Sequence, residues 1–360
     1  MTRVPARGSG LLTSAIWQSL DVHVSITVPT EDPRLARDVY PELERIGYDR
    51  AFSFEAKHDP FVPLAIAGEH TERLQLGTAI AIAFARTPMT LANTGWDLQA
   101  TTGGRFVLGL GSQIKPHIEQ RYSMPWSKPA ARMKEMVEGI RAIWHAWETG
   151  ERLNFDGEFY RHTRMIPAFD PGPNPFGPPP IFTAGFGPLS TRVAGEVADG
   201  FLVHPVNTRR SLQELTVPAI AEGAQRVGRD AADVEIVCVT IVVTGRTEEE
   251  YTKSLEAVRG QLAFYATTPA YLPVFELHGY GDLHPVLNQM AKDNRWDEMP
   301  LLIDNELIET IAVVGEPHEI APAIRTRLAG ISDHVSLVNN RAPDPQHFAE
   351  VVAGLHTMTP

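Results

Sequence analysis

Short apolar runs alternate with longer amphipathic ones along most of the chain, and this alternation predicts the architecture. The first apolar run, over 22–28, ends before Asp32-Pro33. That pair suits a helix start, because proline early in a helix gives up an N–H that would have no partner anyway. The helix runs to about Ile46 and stops at Gly47. A strand at 50–54, a helix at 61–71 and a strand at 74–80 follow. A helix then opens at Pro88 and closes at Gly103-Gly104, before a strand at 105–110. In the fourth helix Met133, Met136, Val137, Ile140, Ile143, Trp144 and Trp147 recur at three- and four-residue steps. They make one apolar stripe for packing on a sheet, and the two tryptophans belong to it rather than to a cofactor box.

Residues 154–160, around Asp156-Gly157, have the pattern of a small hairpin. The segment 167–180 holds seven prolines and two glycines and predicts an irregular connection. Beyond it the alternation resumes, with strands at 180–183, 200–203, 234–243 and 334–338. Helices are expected at 189–198, 209–227, 248–266 and 345–355. Eight short, nearly continuous apolar strands, each followed by a helix, predict a parallel sheet covered by helices and closed into a (β/α)₈ TIM barrel. One domain then spans 21–360. An insertion at about 267–330 precedes the last strand and includes 301–311 and a helix at 317–328. Residues 1–20 form an N-terminal extension, whose apolar run over 11–17 is broken by Thr13 and Ser14 and so falls short of a signal peptide.

Composition narrows the partners. With 32 basic and 44 acidic residues the net charge is −12, which argues against nucleic acid or an anionic membrane. A small-molecule substrate is the expected partner, and a homodimer stays open. The single cysteine, Cys238, lies in a strand run and forms no intrachain disulfide, so a reducing, cytoplasmic setting is expected. No H-x-x-x-H or clustered Cys/His spacing occurs, so no metal site is expected.

The run LGLGSQIKPH at 108–117 places Gly109 and Gly111 directly after a strand. A dinucleotide fingerprint needs a third glycine, and Ile114 stands there instead, after the fourth strand rather than the first. In a barrel the same glycines form a βα loop at the C-terminal face, where backbone approaches a ligand.

Two longer stretches carry a resemblance. LGTAIAIAFARTPMTLANTGWDLQATTGGRFVLGLGSQIKPHIE (76–119) and IFTAGFGPLSTRVAGEVADGFLVH (181–204) resemble the luciferase-like flavin and deazaflavin oxidoreductase superfamily, most closely its actinobacterial branch that uses coenzyme F420. The resemblance extends from about Asp21 to the C-terminus. It implies a barrel of the bacterial luciferase-like type and a non-prolyl cis peptide at Ala79-Ile80 backing the deazaflavin. It also implies that Gly111, Ser112 and Gln113, together with Gly185, Phe186 and Gly187, approach the ribityl chain and phosphate. Lys115 and Arg86 would be charge partners for the phosphate or glutamyl tail, and His117 and His204, which ends the sixth strand facing the mouth, are further expected cofactor-binding residues.

Several relatives place an acid followed at once by a histidine after the second strand. In the segment EAKHDP (55–60) the acid is Glu55, but Ala56 follows it and the histidine is His58. Glu55 and His58 are the expected catalytic groups, for proton transfer or ring orientation. A loop turn with Asp59 as a helix cap is the competing account of that segment. His23 is expected in the core, and His162, His278 and His284 on surface-like segments. Tyr265, Tyr271, Phe275 and Trp296 suggest an apolar or aromatic substrate, or simply close the barrel end. The expected activity is F420-dependent hydride transfer to or from an organic small molecule. An FMN-dependent monooxygenase and a non-catalytic flavin-binding barrel are the alternatives.

Overall fold

The computed structural model describes residues 22–29, 31–338 and 344–357; the N-terminal extension expected over 1–20 lies outside them. Eight parallel strands form the barrel: β1 (His23–Val28), β2 (Arg50–Ser53), β3 (Gln75–Thr78), β4 (Phe106–Gly111), β5 (Ile181–Ala184), β6 (Gly200–Val203), β7 (Glu235–Val243) and β8 (His334–Val338). Each pairs with the next, and β8 pairs with β1 to close the ring, with His334 opposite His23. The strands read as apolar throughout because both faces are covered.

Inward-facing Phe52, Val107, Phe182, Leu202 and Val237 fill the middle of the barrel. Below them the Arg50 guanidinium lies 5.6 Å from the Phe52 ring and 5.1 Å from the Phe182 ring. Arg50 pairs with Glu235 at 2.9 Å, and Glu235 lies 2.5 Å from Nδ1 of His334. This charged layer closes the N-terminal end. His23, expected in the core, is exposed beside it, its ring 5.7 Å from that of His334.

The outer ring contains α1 (Ala36–Ile46), α2 (Phe61–His70), α3 (Pro88–Thr101), α4 (Pro129–Thr149), α5 (Pro188–Val197), α6 (Val217–Arg226), α7 (Pro317–Leu328) and α8 (Ala349–Thr357). The predicted stripe of α4 is buried, and Trp144 and Trp147 pack against Trp96 of α3. The hairpin lies slightly later than expected, pairing Phe155 with His162 and Asp156 with Arg161. The single helix expected over 209–227 is interrupted by a π turn at Leu212–Thr216. Pro218 has no N–H for the Glu214 carbonyl four residues back, and a wider turn relieves that mismatch.

The insertion differs at both ends from the expected 267–330. The helix Glu248–Ala266 joins a second core with Val274, Phe275, Leu287, Met290 and Ile308. α7 instead buries Ile320, Ile324 and Leu328 in the main core. The inserted unit therefore begins with helix 248–266 and ends before α7, which fills the ring position between β7 and β8. Sequence order alone assigned the first helix after β7 to the ring, whereas packing assigns the last.

Candidate active site at the barrel mouth

β3 does not run straight to residue 80. Gly77 stands opposite Val107 and Ala81 opposite Leu110, so four steps along β3 match three along β4. The extra residue makes a bulge at the C-terminal end, and the Ala79–Ile80 peptide within it is cis. Ala79 and Ile80 pack on the barrel's interior cluster together with Ala184 from β5. The mouth thus has an apolar bed packed on the cluster that holds Phe52 and Phe182.

The glycines of LGLGSQIKPH serve this bulge. A Cβ on Gly109 would lie 1.7 Å from the Thr78 carbonyl oxygen, and one on Gly111 would lie 2.8 Å from the Ile80 side chain. The Thr78 hydroxyl donates to the Gly109 carbonyl at 2.6 Å and accepts from the Gly109 N–H at 3.0 Å. The G-x-G spacing is therefore set by the neighbouring strand.

Glu55 and His58 are not brought together. The Glu55 side chain is 6% exposed, and one of its oxygens accepts from Arg86 at 2.5 Å and from the Ile82 N–H at 2.8 Å. Its other oxygen accepts from the Tyr122 hydroxyl at 2.8 Å. Burial, and then the Glu55 carboxylate, raise the Tyr122 pKa. With three donors from two other segments, 82–86 and the loop at Tyr122, Glu55 braces the bulge. His58 is exposed, its Nε2 3.1 Å from the Glu31 carbonyl oxygen. The two expected catalytic groups thus stand in different settings, Glu55 in a buried hydrogen-bonded brace and His58 exposed. Asp59 does cap α2, accepting from the Phe61 N–H at 2.8 Å, and it also binds Arg86 at 2.9 Å. Arg86 thereby pairs with two carboxylates.

The loop after β4 carries Ser112 and Gln113, both half-buried, with Gln113 in the left-handed region at φ 59°. Lys115 and His117 are exposed, and the Lys115 ammonium lies 3.9 Å from Glu119. The loop is held to the β2 end by Arg121, which donates to the Ala56 carbonyl at 2.6 Å.

On the opposite side, Gly185, Phe186 and Gly187 lead into the N-terminus of α5. Phe186 meets His204 edge-on at 5.7 Å, Tyr271 stacks on His204 at 4.1 Å, and Tyr265 meets it edge-on at 4.9 Å. This apolar cage pushes the His204 pKa down to about 3, so the ring is neutral. Of the four inserted aromatics, Tyr265 and Tyr271 reach the mouth, Phe275 is buried in the second core, and Trp296 is exposed against Phe264. Sequence reasoning missed Tyr122, which sits in a loop with no periodic signal. It also missed Ala184, which follows from Phe182 by strand alternation.

The family model described as "Luciferase-like monooxygenase" matches residues 13–334. The chain belongs to the luciferase-like monooxygenase family. Among its relatives, an uncharacterised protein of Mycobacterium tuberculosis is 50% identical over 309 residues, covering 86% of this chain and 91% of that one. An F420-dependent glucose-6-phosphate dehydrogenase of Nocardia farcinica is 32% identical over 276 residues, covering 72% of this chain and 76% of its own. Among solved structures, the coenzyme F420-dependent tetrahydromethanopterin reductase from Methanopyrus kandleri superposes with a TM-score of 0.73 at 21% identity. That match covers 93% of this chain and 98% of the reductase, and it shows that the luciferase-like barrel is shared.

Proposed function

We propose that this chain is an oxidoreductase that uses coenzyme F420 to transfer a hydride to or from an organic small molecule. The observation that carries the proposal is the bulged end of β3, which sets Ala79 and Ile80 beside Ala184 as an uncharged bed across the mouth. These residues fit a flat, uncharged ring system, since the charges nearest the bulge, Glu55 and Arg86, neutralise each other. The half-buried Ser112 and Gln113 flank the bed on the β4 side. The Gly185–Gly187 turn, at the N-terminus of the ten-residue helix α5, suits the cofactor's phosphate, because the first N–H groups of a helix favour an anion. When bound, the deazaflavin supplies the hydride chemistry, and the protein supplies position, exclusion of water and management of protons. Relatives named as F420-dependent support this cofactor over FMN.

Titrating the purified protein separately with F420 and FMN, with fluorescence as the readout, tests the proposal. F420 should bind about tenfold more tightly or better, a difference of roughly 1.4 kcal/mol. Equal affinities, or a preference for FMN, would overturn the F420 assignment and favour the monooxygenase.

A further inference from the structure

Beside the mouth, a cavity of about 320 Å³ opens between the Gly185–Gly187 turn, the end of β6, the π turn at Leu212–Thr216 and the inserted helix Leu272–Leu277. Phe186, Val206, Leu215, Pro218 and Val274 make its walls predominantly apolar. The charged residues of the lining are Glu214 and Glu222, and both are already paired. Glu214 binds Arg210 at 2.8 Å, and Glu222 binds Arg192 and Arg226, each at 2.8 Å. Among the described residues no lysine or arginine lines the space. The one electropositive element on its rim is the α5 N-terminus, which the functional reading assigns to the cofactor. An anionic ligand would meet two carboxylates here, and a cation would meet carboxylates already neutralised, so the cavity suits an uncharged molecule.

Its polar lining is mostly spent as well. Asn207 donates to the carbonyls of His204 and Val239, Ser211 to that of Thr208, and Thr191 to that of Gly187. Among the described residues, uncommitted polar side-chain atoms remain on the His204 ring, the Thr216 hydroxyl and the second carboxylate oxygens of Glu214 and Glu222, and of these the His204 ring and the Thr216 hydroxyl can donate to a ligand oxygen. Nδ1 of His204 accepts from the Val206 N–H at 3.2 Å. A ring nitrogen that accepts carries no proton, so the neutral imidazole carries its proton on Nε2. The stacked Tyr271 and the edge-on Phe186 and Tyr265 fix the ring plane.

We infer that His204 is the ligand-oxygen donor of this cavity, its Nε2–H hydrogen-bonding the carbonyl or hydroxyl oxygen of an uncharged substrate. The inference rests on the functional reading above for the word substrate, and on this geometry alone for the donor and the ligand class. No bond is made or broken in this role; the imidazole polarises the oxygen and holds it against the mouth. The titratable neighbours do not compete for the proton. Burial raises the pKa of Tyr265 and pushes that of Tyr271 up to about 12, so both stay protonated, while Glu214 and Glu222 are held by their arginines. Burial likewise disfavours the imidazolium of His204.

Long-range ¹H–¹⁵N spectra of protein labelled at histidine nitrogen test this directly. His204 should show the Nε2–H tautomer unchanged from pH 5 to pH 8. Cyclohexanone should shift its Nε2 signal saturably, whereas cyclohexanecarboxylate and methylcyclohexane should leave it in place. Thr216→Trp, which fills the cavity from a partly exposed position, should abolish the cyclohexanone response while leaving the tautomer and the fold intact. An Nδ1–H tautomer, an imidazolium at pH 6, or no shift with cyclohexanone would overturn the inference. F420 titration of the same samples separates the two readings. Loss of F420 binding with the His204 response intact overturns the cofactor assignment alone, and F420 binding with a silent His204 overturns the donor role alone. If Thr216→Trp blocks F420 instead, the cavity belongs to the cofactor and the substrate assignment fails.

Discussion

Glu55 joins three chain segments through one carboxylate, so losing it is felt at each of them. Removing one partner of a buried ion pair leaves the other uncompensated. Glu55→Ala strands the Ile82 N–H and the Tyr122 hydroxyl and leaves Arg86 with Asp59 as its one carboxylate partner. It should lower unfolding stability by about 3 kcal/mol, at the lower end of such losses because Arg86 keeps Asp59 and some solvent. Tyr122→Phe removes a single hydrogen bond and should cost about 1 kcal/mol. Urea denaturation of both variants checks the order; equal and negligible losses would show that the carboxylate is not a brace. The identity and the strand-end position of Glu55 were legible in the sequence, but its role was not. Arg86 lies 31 positions away and Tyr122 lies 67 positions away, and no local spacing connects them.

Among the elements, the junction of β3 and β4 is the least tolerant. The atom facing Gly109 is a backbone carbonyl oxygen, which cannot turn aside as a side chain does. Gly109→Ala must break the register that ties Thr78 to Gly109, and it should destabilise the barrel by about 3 kcal/mol or prevent soluble folding, at the severe end of overpacking. Gly111→Ala meets only the Ile80 side chain and should be milder. Comparing the urea midpoints of the two variants measures this; a Gly109→Ala protein as stable as the parent would mean that the strands do not approach so closely. Most strand and helix positions were readable from periodicity, because burial on two faces or one leaves a direct mark on the pattern. The bulge was not, since an extra residue in a strand changes register without changing composition. The π turn escaped for a similar reason: Pro218 is compatible with a helix start, and only the preceding turns make it a mid-helix residue.

For the whole molecule, acid should act through groups whose pKa is lowered on folding. Burial holds His204 and His334 below the ordinary histidine value of 6.5. Burial of Glu235 works toward a higher pKa, but the hydrogen bond from His334 and the charge of Arg50 outweigh it and bring its pKa down to about 2 from 4.5. In each case the unfolded chain binds the proton more readily, so stability falls as pH falls. The loss should begin as the pH drops through 6.5 and steepen below 4.5, continuing toward 2. Denaturation midpoints measured stepwise from pH 7 to pH 3 check this, and Glu235→Gln should flatten the part below 4.5. A stability unchanged down to pH 4 would contradict neutral buried histidines. By itself the sequence determined the eight strand–helix units, the closed barrel and the family, because each is written in local periodicity or contiguous motif. Only the tertiary structure decided which helix after β7 completes the ring, that Glu55 is a brace, and that His204 stands caged beside a neutral cavity. Those outcomes depend on side chains far apart in the chain meeting in a low-dielectric space, where pairing and desolvation, not residue type, set what a group does.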